Sequence, residues 1–112
     1  MVIKIHQAKG QFPGAIIASL SIPWGNSKGD KDIGGYHLIW PRDMAEAAES
    51  LLIAGDNEGA VSAFKFLMAT QESDGHWFQN LWLDGRSYWS GIQMDETAFP
   101  IILAYRLLSK NL

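Results

Sequence analysis

The residues best suited to chemistry gather in Gly34-Gly35-Tyr36-His37-Leu38-Ile39-Trp40-Pro41-Arg42-Asp43, where a glycine-rich loop ends and a helix begins. Trp40 offers a flat apolar face with one N–H donor, Arg42 a planar fork of donors, Asp43 two acceptor oxygens, and Tyr36 a hydroxyl on a ring. Such a set suits a polyhydroxylated ligand, whose C–H patches stack on aromatic faces and whose hydroxyls need donors and acceptors together. A structural reading stands beside this one. Pro41 fits the first position of a helix, and Asp43 in the first turn faces the positive end of its dipole, so capping accounts for two of these residues without a ligand.

Four helices are expected to position this stretch, over 13–22, 42–54, 58–72 and 97–109, with no sheet beyond short loop pairings. Pro13 suits a first turn, and Pro23 stops the apolar run that follows it. In the second helix Met44, Ala47, Ala48, Leu51 and Leu52 share one face, with Glu46 and Glu49 turned outward, and Gly55 supplies the left-handed C-terminal turn. Asp56 or Asn57 caps the third helix almost at once, so the second and third form a tight hairpin. The fourth is expected to start at a Thr97 cap, with Pro100 in its first turn, and to be buried because it is apolar on nearly every side.

If these helices alternate up and down, the second and fourth start at the same end, together with the two long loops 24–39 and 75–94. The second loop carries Trp77, Phe78, Trp82, Tyr88 and Trp89. Tyr36, Trp40, Arg42 and Asp43 are then expected to meet Trp89, Gln93, Asp95 and Glu96 across that end. Long decorated loops at one end and a tight turn at the other are the pattern of a scaffold that carries a site.

Composition narrows the partners. With 112 residues, 47% hydrophobic content and a formal charge of −3, the chain reads as a single unit over 1–112. Its nine Lys and Arg are scattered and form no basic stripe, which argues against nucleic acid. No apolar run approaches the ~20 residues of a membrane helix, so no membrane partner is expected. There is no cysteine, and His6, His37 and His76 lack a metal spacing, so neither a metal nor another cofactor is expected. Met1-Val2-Ile3-Lys4-Ile5 alternates like a short strand and has too brief an apolar core for a secretory leader, which leaves a cytoplasmic location as the default.

Several stretches in order carry a resemblance. They are Pro13-Gly14-Ala15-Ile16-Ile17-Ala18-Ser19-Leu20-Ser21-Ile22-Pro23-Trp24-Gly25, Gly35-Tyr36-His37-Leu38-Ile39-Trp40-Pro41-Arg42-Asp43, Gln71-Glu72-Ser73-Asp74-Gly75-His76-Trp77, and Trp89-Ser90-Gly91-Ile92-Gln93-Met94-Asp95-Glu96-Thr97-Ala98-Phe99-Pro100. From Phe12 onward the chain closely resembles prokaryotic glucoamylases and glucodextranases of glycoside hydrolase family fifteen. The resemblance implies an all-α fold that is part of an (α/α)6 toroid, and exo-acting, inverting hydrolysis of α-glucosidic bonds in an α-glucan or oligosaccharide. It implies that Tyr36, Trp40, Arg42 and Asp43 line the subsite of the terminal glucose, with Arg42 and Asp43 gripping its outer hydroxyls, and that Trp89 shapes the site nearby. Gln93 and Asp95 carry over as ligand contacts or as supporting and capping residues.

Inverting hydrolysis needs two carboxyl groups ~6.5–9.5 Å apart, one to protonate the leaving oxygen and one to activate water. The family places both in segments later than any found here. Glu46 and Glu49 belong to a helix body and Glu72 precedes a turn, leaving only Glu96 near the expected mouth. The chain is therefore expected to be the N-terminal part of a catalytic domain, without its acid and base. Its open flanks are expected to be covered by the rest of the barrel or by a second copy in a homo-oligomer. Two other readings stay open: a non-catalytic carbohydrate-binding or vestigial module, and a helical interaction protein whose aromatics are core.

Overall fold

The computed structural model describes residues 13–18 and 38–112. The opening strand, the end of the first expected helix, most of the loop 24–39, and Tyr36 within it lie outside the described residues. Three helices and one short hairpin follow in order: α1 (Pro41–Ile53), α2 (Asn57–Thr70), β1 (Asn80–Leu81), β2 (Ser87–Trp89) and α3 (Met94–Ser109).

α1 begins on Pro41 and buries Pro41, Met44, Ala45, Ala48, Leu51 and Leu52, a stripe at the helical period, while Glu46 stays exposed. Its end is fixed by Gly55 at φ 90°, where the Gly55 N–H bonds the Leu52 carbonyl at 3.1 Å and the Asp56 N–H bonds that of Leu51 at 2.9 Å. This double closure requires a left-handed residue, which Gly supplies without a Cβ clash. Asp56 then caps α2 through its side chain, accepting from the Gly59 N–H at 2.9 Å. The α1–α2 hairpin is as its sequence leads one to expect.

Residues 13–18 depart from expectation. They form a turn and an isolated bridge, not a helix. Gly14 has φ 92°, outside the helical region, and a Cβ there would lie 2.3 Å from the Ser62 carbonyl oxygen on α2. Ala15, Ile16 and Ile17 are all buried. A short apolar run with no polar face reads as well as a buried extended segment as it does as a helix, and the close backbone approach at Gly14 decides it.

α3 also differs. It starts at Met94, ahead of the expected Thr97, so Pro100 lies inside the helix and the Glu96 carbonyl receives no i+4 bond. Asp95 and Glu96 in the first turn favour the earlier start. Thr97 is not the cap; its hydroxyl accepts the Trp77 backbone N–H at 3.2 Å. Nor is the helix buried all round. Leu103 and Leu107 are buried, but Ile101, Ile102, Tyr105 and Leu108 are exposed. Asn111 at φ 62° closes its C-terminus in the same way as Gly55 closes α1, with the Leu112 N–H on the Leu107 carbonyl.

α1 packs against both other helices. The charged contacts of α1 and α3 run in the same sense, Arg42 to Asp95 near both starts and Glu49 to Arg106 further along both, so the two helices are parallel. Their starts share one end of the molecule. There Ile39 bridges Leu81, and β1 pairs antiparallel with β2, which stacks three extended segments beside the start of α1. One core joins Ile39, Met44, Leu51, Leu67, Trp77, Leu81 and Leu103. Trp77 belongs to it, its indole N–H donating to the Leu67 carbonyl at 2.8 Å.

Candidate sugar-binding site at the joined helix starts

Trp40 is the N-cap of α1 but has no oxygen to cap with, and Pro41 has no N–H, so Arg42 presents the first backbone donor of the helix. Its partner comes from α3. Glu96 Oε2 accepts the Arg42 N–H at 2.6 Å. The Arg42 side chain then turns to the neighbouring carboxylates, with Nη1 donating to Asp95 Oδ2 at 2.6 Å and Nη2 lying 3.5 Å from Asp43 Oδ2. Asp95 Oδ1 accepts the Glu96 N–H at 3.0 Å, so its two oxygens tie the guanidinium of one helix to the first turn of the other.

The electrostatics divide this cluster into an open and a closed half. The side chains of Arg42, Asp43 and Asp95 are 36%, 40% and 41% exposed, so the fork and its carboxylates remain within reach of a solute. The hydrogen bond to Asp95 leads the causes that raise the Arg42 pKa further above its already high value, which keeps the fork charged. Glu96 is fully buried, and among the described residues Oε1 has no hydrogen-bond partner. Burial pushes its carboxyl up to about 7, against the opposing pull of the Arg42 backbone N–H and guanidinium. Among the described residues no three His, Asp or Glu gather as a metal site would require.

Of the residues singled out from sequence, Arg42, Asp43 and Asp95 come together in direct contact. Trp40, half-buried, stands at the adjoining N-cap. Gln93 is the exposed N-cap residue of α3 and makes no side-chain cap bond. Trp89 pairs through its backbone with Asn80 in the hairpin next to the Ile39–Leu81 bridge. Tyr36 falls outside the described residues. The residue whose role the sequence does not show is Glu96, expected only to lie at the same end as Arg42. A signal for it existed: Trp-Pro-Arg leaves an orphan donor on Arg42 with no local acceptor, so an acceptor must come from elsewhere at that end.

Residues 1–82 match the family described as Glycosyl hydrolases family 15. A glucoamylase from Clostridium sp. (strain G0005) is 47% identical over 107 residues, covering 96% of this chain and 15% of that protein. A crystal structure of a bacterial glucoamylase complexed with acarbose aligns with a TM-score of 0.82 and 45% identity, over 100% of this chain and 16% of that one. The chain thus spans about 15% of the length of the curated relative that it matches. Its helices correspond to part of the glucoamylase (α/α)6 fold. On the match across most of its length, this chain belongs to glycosyl hydrolases family 15.

Proposed function

We propose that this chain forms part of a glucose-binding subsite, in which Arg42 and Asp43 hold the hydroxyls of the terminal sugar of an α-glucan or oligosaccharide. By the family resemblance Trp40, Trp89 and Tyr36 supply the aromatic faces of that subsite, and Asp95 and Gln93 support it from the start of α3. The observation that carries this reading is the Arg42 guanidinium, tied to Asp95 at 2.6 Å yet still 36% exposed. A fork fixed on one side and open on the other is preorganised to bond vicinal hydroxyls. The relative crystallised with acarbose, an oligosaccharide mimic, supports the choice of ligand class.

In a complete domain the subsite would serve exo-acting, inverting hydrolysis of α-glucosidic bonds. The acid and base for that step lie outside this chain. Glu96 has the raised pKa of a general acid, but it is fully buried and committed to the Arg42 backbone, and a general acid must reach the leaving oxygen. Isolated, the chain is expected to bind maltose or acarbose weakly, because a partial site buries too little of the ligand. It is expected to release no glucose.

A titration of the chain with acarbose, followed by NMR, tests this. Shifts confined to Arg42, Asp43, Asp95 and the adjoining aromatics, and abolished by Arg42→Ala, support the subsite. Shifts elsewhere, or none, refute it. The outward face of α3, with Ile101, Ile102, Tyr105 and Leu108 exposed, fits a flank that the rest of the barrel or a second copy covers. Sedimentation showing a stable monomer at micromolar concentration would remove the second copy from that reading.

A further inference from the structure

Among the described residues Glu96 is the one charged side chain with no exposed surface, and it lies between two helix starts. A cap for the Arg42 N–H needs an acceptor oxygen and nothing more; an amide would serve. Here the acceptor is ionisable, and its second oxygen is buried with no partner among the described residues. Arg42 and Asp43 face it from α1 and Asp95 stands next to it on α3. The segment that meets α3 at Thr97 carries Asp74 and His76, which bond each other. Glu49 and Arg106 pair further along the contact of α1 and α3. At the junction one guanidinium therefore faces three carboxyl groups. If Glu96 ionises, Arg42 must divide its attraction among all of them, and the desolvated charge has the strongest claim.

We propose that Glu96 is a positioning residue for the Arg42 fork: uncharged, it fixes the start of α1 and leaves the guanidinium to Asp95; ionised, it draws the guanidinium inward and away from Asp95. Orientation of the fork then depends on one buried proton. Since burial raises that carboxyl to about 7, the fork faces outward in acid and turns inward as pH rises through that value. The link to sugar rests on the reading of this end as a glucose subsite; the link between Glu96 and Arg42 does not.

The test is nitrogen NMR of the full chain in a titration from about pH 5.5 to about pH 8.5, spanning the Glu96 midpoint, following the Arg42 amide and Nε. In the wild type both signals are expected to shift together with a midpoint near 7. In Glu96→Gln, which keeps the acceptor and loses the proton, both should stay in place. Glu96→Ala should lose the protection of the Arg42 amide at both ends of the titration; should that variant not fold, the comparison of wild type with Gln decides alone. An Nε signal that ignores pH, or that shifts equally in wild type and Gln, overturns the proposal and leaves Glu96 a structural cap. Maltose added to the same samples separates the two readings. If maltose moves nothing in any sample, the glucose subsite fails and the Arg42 response still decides the positioning role. If maltose binds while Nε stays indifferent to pH, the subsite stands and the positioning role falls. With both in place, maltose affinity should drop at the higher pH in the wild type and not in Gln.

Discussion

The starts of α2 and α1 solve one problem by opposite means. α2 is capped by Asp56, whose side chain reaches a backbone N–H three residues on. α1 is capped by Glu96, 54 residues away on another helix. The local cap closes the first turn of α2 from within its own stretch of chain. The remote cap obliges the start of α1 to meet the start of α3, and in doing so brings Arg42, Asp43 and Asp95 into one cluster. A helix that cannot finish its own first turn becomes a device for assembling a site. The cost is a buried carboxyl, which a self-capped helix avoids.

The contrast is sharpest in pH dependence, where the largest effect is expected. The Glu96 carboxyl has an ordinary value of 4.5 and stands at about 7 in the folded chain, so the native state holds the proton more tightly than the unfolded one. Its contribution to stability is fully present below 4.5 and is lost as pH rises through about 7. At ~1.4 kcal/mol per unit, the loss between these limits is on the order of 3 kcal/mol. Denaturant unfolding at about pH 8 should therefore find Glu96→Gln more stable than the wild type, with the two converging in acid. Parallel curves would show that the buried carboxyl costs nothing, and the contrast with Asp56 would lose its energetic side.

Reach distinguishes the two caps next. Glu96→Asp withdraws the carboxyl by one methylene, leaving the half-buried Arg42 N–H without its acceptor, and should destabilise by about 1 to 2 kcal/mol. Asp56→Ala should cost about 1 kcal/mol. Asp56→Ser should recover most of that, because a hydroxyl on a short stem also reaches the Gly59 N–H from an N-cap. Thermal or chemical unfolding of the three variants checks the ranking. If Glu96→Asp proves as mild as Asp56→Ser, the remote cap is replaceable and the α1 start needs no particular partner.

The same division explains what the sequence reveals. Everything closed by neighbours in the chain is readable there: the buried stripe of α1, the Gly55 terminus and the Asp56 cap; the shared end of α1 and α3 follows from the up-and-down order of the helices. What depends on distant atoms is not. The apolar run at Ala15, Ile16 and Ile17 suits a helix until the approach of Gly14 to the Ser62 backbone dictates an extended path. The early start of α3 depends on acidic first-turn residues whose partners sit on α1, which overrides the pull of Pro100 toward a later start. The burial expected for α3 followed from composition alone, whereas its outward face is covered by nothing among the described residues. In the candidate site, the sequence leads one to expect Arg42, Asp43 and Asp95 at one end, and they lie there in contact. The role of Glu96 required knowing that the Arg42 backbone donor and the Glu96 carboxyl meet.

The smallest expected effect concerns the second charge pair between the same helices. Arg106 Nε lies 3.2 Å from Glu49 Oε1, with side chains 57% and 29% exposed, in the body of α1 and α3 away from their starts. Solvent screens such a pair, and holding two long side chains in one geometry offsets much of what attraction remains, so a double-mutant cycle to Ala should give a coupling of ~0.5 kcal/mol or less. Arg42 and Asp95 are closer, at 2.6 Å, and their geometry is fixed by backbone contacts on both sides, so less entropy is lost when they pair. Their exposure still limits the gain, and a coupling approaching 1 kcal/mol is expected. Added salt should erase the Glu49–Arg106 term first and reduce the Arg42–Asp95 term more slowly. Equal couplings with equal salt sensitivity would mean that the joined helix starts give Arg42 no more order than an ordinary surface pair has, and the fork would then have no fixed side from which to hold a ligand.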